Sequence, residues 1–146
     1  MMHASTAQVK ELMKIPQYKK WAKRRGLRFG DRIMNTNTGG TAVLDSRDWI
    51  TDGLSRVVEE GKTYTLWDTD EMALLPSAED YLRFLNCLTG STCGLALDSV
   101  GEMWRAWCPI YESAAARSPI DALHDCAVNC FKQSSVPGTV LPLGAA

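Results

Sequence analysis

Apolar residues recur in two rhythms along this chain, helical before Leu27 and again after Pro76 and Ser118, and alternating in the runs between. Ser5 and Gln8 have capping-box spacing, and Val9, Leu12 and Met13 follow at helical intervals, which predicts a first helix from about Thr6 to Lys14. Pro16 interrupts it and suits the first turn of a second helix. Good helix formers run from Gln17 to Arg25, and Gly26 then supplies a left-handed stop. Tyr18, Trp21 and Ala22 form the apolar side of this second helix, with Lys19, Lys20, Lys23 and Arg24 elsewhere on its surface.

After Leu27 short β-prone runs predict strands at Arg32 to Asn35, Thr41 to Leu44, Leu54 to Glu59 and Thr63 to Trp67. Asn37-Thr38-Gly39-Gly40 can close the first pair and Glu60-Gly61 the second, because glycine tolerates the positive φ of tight hairpins. The expected arrangement is an antiparallel meander. Between Asp45 and Gly53 the pattern does not decide whether Trp49 and Ile50 belong to a strand end or a loop.

Pro76 and Ser77, with Glu79 and Asp80 in the first turn, mark a helix start; Tyr81, Leu82, Phe84, Leu85 and Leu88 form its broad apolar face, and Gly90 ends it. That helix is expected to lie on the sheet. A second hairpin is expected from Thr92 to Leu97 and Glu102 to Pro109, turning around Asp98-Ser99-Val100-Gly101. Met103, Arg105 and Trp107 would take one face, Trp104, Ala106 and Cys108 the other, so both faces should be partly covered. Ser118-Pro119-Ile120-Asp121 opens the last helix, on which Ile120, Leu123, Ala127 and Cys130 or Phe131 repeat at core spacing. The stretch after Lys132 has prolines, glycines and no apolar period, so it reads as a tail.

The whole reads as one α+β domain over residues 1–133, an antiparallel β-sheet with N-terminal helices and two further helices packed on it, followed by a flexible tail over 134–146. A length of 146 residues with 45% apolar content is enough for a single core. No run near the N-terminus has the apolar length of a secretory signal, and none spans a bilayer, so the expected setting is the cytoplasm, away from membranes. Five cysteines, an odd number, then read as reduced thiols.

Charge is distributed unevenly. Residues 1–32 carry nine Lys or Arg against Glu11 and Asp31, a balance of +7; the remainder carries seven against fifteen, a balance of −8, which together give the net charge of −1. Such a dipolar chain can self-associate or meet a charged partner with one pole. Lys19, Lys20, Lys23, Arg24, Arg25 and Arg28 are therefore the candidate residues for binding nucleic acid or an acidic protein, with Tyr18, Trp21 and Phe29 available to stack on bases. The competing reading makes those aromatics core and those cations merely solvated.

Catalytic and cofactor chemistry has little to stand on. Cys93, Cys108, Cys126, Cys130 and His124 are enough ligands for zinc, but no tight Cys-x-x-Cys turn is present and Cys126 and Cys130 lie one helical turn apart on a core face, so no metal site is expected. Cys93 and Cys108 face each other across the second hairpin about one residue out of register, which gives a disulfide no strong support and leaves a redox role as a minor alternative. His3 sits in an end expected to fray, and His124 is expected at a helix surface or boundary; no nucleophile elbow, phosphate loop, dinucleotide fingerprint or zinc-protease motif occurs. Asp68, Asp70 and Glu71 could approach a hard cation but read as a solvated turn. No catalytic residue and no cofactor is assigned.

Three openings and one hairpin resemble small uncharacterised proteins of bacteriophages and prophages, some with a layered "phage ABA sandwich" arrangement. They are Ile15-Pro16-Gln17-Tyr18-Lys19-Lys20-Trp21 followed by Gly30-Asp31-Arg32, Leu75 to Leu82 opening a helix, the tryptophan-bearing hairpin at Met103 to Cys108, and Ser118-Pro119-Ile120-Asp121-Ala122-Leu123. The resemblance implies a mobile-element origin, with no known activity and no functional residues to carry over. The function expected is a non-enzymatic binding or regulatory role for an accessory protein of a phage or mobile element. Its rivals are a small enzyme with a dispersed site, drawn from residues such as Asp45, Asp68, Asp70, Arg105 and His124, and a structural subunit that pairs sheet edges in a homodimer.

Overall fold

A computed structural model of the chain describes residues 3–51, 53–59, 64–98 and 101–134. The fold is α+β, with four α-helices and two antiparallel sheets among the described residues. The contacts divide the chain into two compact units, one of residues 1–23 with 76–146 and one of Arg24–Leu75.

In the first, helix-rich unit, α1 (Thr6–Leu12) begins on the expected capping box: the Gln8 amide donates to Ser5 Oγ at 3.1 Å and the Ser5 amide to Gln8 Oε1 at 3.0 Å. It stops two residues short of the expected Lys14. The segment before it does not fray as the sequence suggested, because His3 bridges to Ser77 and the Ala4 amide donates to the Pro76 carbonyl at 2.8 Å. Helix α2 (Pro16–Arg25) starts directly on its proline, with its last residues in the other unit. Tyr18 and Trp21 are buried against Phe84 of α3 (Ala78–Thr89), the Tyr18 ring meeting Phe84 edge-on at 5.2 Å. Ser77 and Asp80 cap α3 reciprocally, and Gly90, at φ 69°, closes it in the left-handed conformation that a side chain would strain.

Helix α4 (Pro119–Ser134) packs against α3 and against a small sheet of order β6-β7-β8. To number those strands, β6 is Gly94–Leu97, β7 Trp104–Cys108 and β8 Tyr111–Glu112. Ala106 and Cys108 face inward, as do the buried Cys126, Ala127 and Cys130 of α4, while Arg105 and Trp107 alternate outward. The inner face is covered as expected; the outer one is covered thinly, since Trp107 remains 43% exposed. Its ring lies over Gly94, where an added Cβ would stand 2.1 Å from Cζ2, so the glycine makes room for the tryptophan. The third strand was not visible in the sequence: Ser113 carries the ladder past β8, its amide donating to the Ala106 carbonyl and its Oγ accepting from the Ala106 amide. Helix α4 runs two residues beyond Lys132, so the first residue of the expected tail over 134–146 is helical, and the rest of it, 135–146, lies outside the described residues.

The second unit is the expected meander with an added edge. Its five strands, β1 (Arg32–Asn35), β2 (Thr41–Thr51), β3 (Leu54–Glu59), β4 (Tyr64–Asp68) and β5 (Met72–Leu74), lie in the order β4-β3-β2-β1-β5, all antiparallel. The ambiguous stretch after Leu44 is strand through Thr51, and its register slips against β3 between Leu44 and Ser46 and again before Thr51. These irregularities are what hid it, because a slip breaks the period of two. Asn35 builds the first turn by accepting at Oδ1 from the amides of Asn37 and Thr38, while the second expected turn, Glu60-Gly61, lies outside the described residues. Ile33, Ala42, Leu44, Val57 and Trp67 form the core, with Leu27 and Met72 packed on it.

Candidate functional site

The six candidate cations fall in both units. Lys19, Lys20 and Lys23 lie in the helix-rich unit and are exposed, on the opposite side of α2 from the buried Tyr18 and Trp21. Arg24, Arg25 and Arg28 lie in the five-stranded unit. Lys20, Lys23 and Arg24 stand at helical spacing that puts them on one flank of α2. Arg24 and Arg28 are exposed, and Lys19, Lys20, Lys23, Arg24 and Arg28 have no ion-pair partner among the described residues.

Arg25 differs from the rest. Its Nη1 and Nη2 donate to Asp31 Oδ2 and Oδ1 at 2.8 and 3.0 Å, and Nη1 also donates to the Gly26 carbonyl. Asp31 further accepts from the Arg28 amide at 2.6 Å. Burial works to raise the Asp31 pKa, but the Arg25 fork, the Arg28 amide and the two positive charges prevail and hold the carboxyl below its ordinary value of 3.8. Arg25 is thus a structural partner in the turn that follows α2. Of the aromatics considered for stacking, Tyr18 and Trp21 are core, and Phe29, 68% exposed, alone is on the surface.

His124 is buried at 8% exposure, further in than the surface or boundary position expected from its place on the helix. Its Nδ1 lies 2.9 Å from the Tyr81 hydroxyl and its Nε2 3.3 Å from Glu11 Oε1, so three helices contribute one polar group each. Burial, with the negative charges of its surroundings, pushes the Tyr81 phenol well above its ordinary range, which leaves it a neutral hydrogen-bonding group. Glu11 is largely exposed, and beside it Gln8 Nε2 donates to Asp121 Oδ1 at 2.8 Å. These links fasten α1 to α4.

The dispersed set imagined for an enzyme does not gather within either unit. Asp45 is paired with Arg56 at 2.8 Å in the five-stranded unit, and Asp68 caps a short 3-10 turn, Thr69–Glu71, by accepting from the Asp70 amide. Arg105 and His124 belong to the helix-rich unit, one exposed on the outer face of β7 and the other buried on α4. Among the described residues no group of three or more His, Cys, Asp or Glu is placed to hold a metal ion. No helix among them is long and apolar enough to cross a membrane.

The cysteines converge more than the sequence suggested. Gly94 pairs with Trp107, so Cys93 and Cys108, one residue further out on each side, stand in register rather than one residue apart. Cys93 nevertheless turns to Thr89 and Ser91, and the Cys108 thiol donates to Cys130 Sγ at 2.9 Å. No protein-family model, curated protein or solved structure matches this chain.

Proposed function

We propose that this chain is a non-catalytic binding protein that docks on a polyanion, nucleic acid first among them, through the basic segment from Lys19 to Arg28. One observation carries the reading: Lys19, Lys20, Lys23, Arg24 and Arg28 are all exposed and have no ion-pair partner among the described residues. The remainder of the chain, at −8 beyond residue 32, repels a polyanion, so favourable potential is confined to the first 32 residues, in which this segment holds most of the cations. Arg25 has a smaller part, since its guanidinium is already engaged by Asp31. With two of the three aromatics in the core, stacking contributes little and contacts go to phosphates. A phage or mobile-element accessory role accords with this reading and rests on the residue resemblances alone, and a cytoplasmic setting rests on the apolar patterning of the sequence.

The test is a titration of single- and double-stranded oligonucleotides at low and moderate salt. Weak, poorly sequence-specific binding that falls steeply with salt is expected, because each neutralised phosphate releases counterions. The combined variant Lys20→Glu, Arg24→Glu and Arg28→Glu should abolish it while the melting temperature stays unchanged. Absence of binding by the native chain at low salt overturns the nucleic-acid reading and leaves an acidic protein, or a second copy of the chain, as the partner of the basic pole.

A further inference from the structure

Three thiols meet between β7 and α4. Cys108 Sγ lies 2.9 Å from Cys130 Sγ, less than about 1 Å beyond the length of a disulfide bond. Cys126, one helical turn before Cys130, lies close by, with its thiol donating to the Tyr111 carbonyl at 4.0 Å. All three are buried, Cys108 at 6% exposure and the other two fully. Simple packing of small apolar side chains does not require two sulfur atoms to approach this closely. Oxidation to the disulfide would require only a small closure, since strand and helix already hold the two sulfurs face to face.

We infer that Cys108 and Cys130 form a dithiol that a hydroperoxide converts to a disulfide, stapling strand β7 to helix α4. Cys108 is the attacking sulfur. At 6% exposure it is the most accessible of the three; the neutral Cys108 thiol donates to Cys130, and once Cys108 ionises the neighbouring thiols hold its pKa down despite burial while theirs are pushed up. Its thiolate attacks the peroxide oxygen, forming a sulfenic acid and releasing hydroxide, which takes up a proton to become water. The Cys130 thiol, giving up its proton, then attacks the sulfenic sulfur and expels a second water. Two thiols lose two electrons in total and one hydrogen peroxide becomes two waters. Burial selects an oxidant of this size over a bulky disulfide such as oxidised glutathione. The closed ring would span residues 108 to 130, a loop long enough for the cross-link to raise stability appreciably.

The experiment treats the folded, reduced full-length chain with hydrogen peroxide, then alkylates it under denaturing conditions for intact mass and peptide mapping. The expected product has lost two hydrogens, offers three alkylatable thiols instead of five, and carries one cross-link between Cys108 and Cys130. Its melting temperature should rise and return to the starting value with dithiothreitol. Oxidised glutathione over the same time should leave the pair reduced. Cys130→Ala should instead accumulate a sulfenic acid at Cys108, trapped by dimedone, whereas Cys126→Ala should still form the cross-link more slowly. A cross-link from Cys108 to Cys126 or Cys93 overturns the assignment, and so does a native chain that stays fully reduced in peroxide while the urea-unfolded chain oxidises. The native-chain measurement decides the matter even where a variant fails to fold.

Discussion

Phe84 in the helix-rich unit and Ile33 in the five-stranded unit are both fully buried, yet they are placed by different kinds of interaction. Phe84 sits on a helix whose start is fixed by Ser77 and Asp80 and whose end is fixed by Gly90, all close in sequence. Ile33 is placed by pairing with Ala42 on one side and Leu74 on the other, the second far along the chain. Local signals therefore specify the first position, and only pairing specifies the second. The energetic consequence differs as well. Phe84 touches two other aromatic rings, Tyr18 and Trp21, whereas the core around Ile33 is aliphatic apart from Trp67.

The largest effect should come from Phe84→Ala, which removes the ring at the centre of that trio and should cost about 3–5 kcal/mol. Ile33→Ala should cost about 2–5 kcal/mol, toward the lower part of that range if strands neighbouring Ile33 relax into the space. Hydrogen exchange sharpens the comparison beyond the two melting temperatures. If each core holds its own unit, Phe84→Ala speeds exchange chiefly in α3 and α4, and Ile33→Ala chiefly in β1, β2 and β5. Equal acceleration everywhere in both variants would show that the two units unfold as one, and the contrast would then be one of construction only.

The same contrast explains what was legible beforehand. Helices α2, α3 and α4 could be read nearly to the residue, because Pro16, Ser77, Gly90 and Ser118 act on neighbours three or four residues away. Four strands of the meander were visible through alternation, but β5 and β8, with three and two residues, are too short to show a period at all. The solvated cations followed from the side of α2 that Tyr18 and Trp21 leave free. What could not be seen was every tertiary pairing of polar groups: His124 with Tyr81 and Glu11, Arg25 with Asp31, Cys108 with Cys130. Helical spacing gives a direction to a side chain and says nothing of what stands opposite it.

Arg25 and Asp31 offer an electrostatic test on the five-stranded side. The pair is mostly shielded, with side-chain exposures of 11% and 13%, and Asp31→Asn should cost about 1.5–3 kcal/mol at neutral pH by leaving the Arg25 fork poorly matched. The pKa of Asp31 is lowered in the folded chain, so its contribution is present above the ordinary value of 3.8 and is lost as pH falls through the folded value. Urea titrations of the native chain and the variant should therefore differ most near neutral pH and converge in acid strong enough to protonate Asp31 in the folded chain. A gap that persists unchanged into acid would assign the cost to altered packing of the turn instead of the ion pair.

The smallest effect belongs to the local signals of the helix-rich unit. Ser77→Ala removes the oxygen that accepts from the Asp80 amide at 3.2 Å and the hydroxyl that donates to Asp80 Oδ2 at 3.1 Å, while the Ser77 amide keeps its own bond to that carboxylate at 3.0 Å. With part of the cap surviving, the expected loss is about 0.5–2 kcal/mol. Ser5→Ala breaks a box of the same design on α1, but there both bonds are exposed and water can replace them, so its cost should fall at the low end of that range. Thermal melts of the two variants side by side measure the difference. A Ser5 variant that loses more than the Ser77 variant would mean that α1, seven residues long and held to α4 by Gln8 and Glu11, depends on its cap for that docking more than α3 depends on its own.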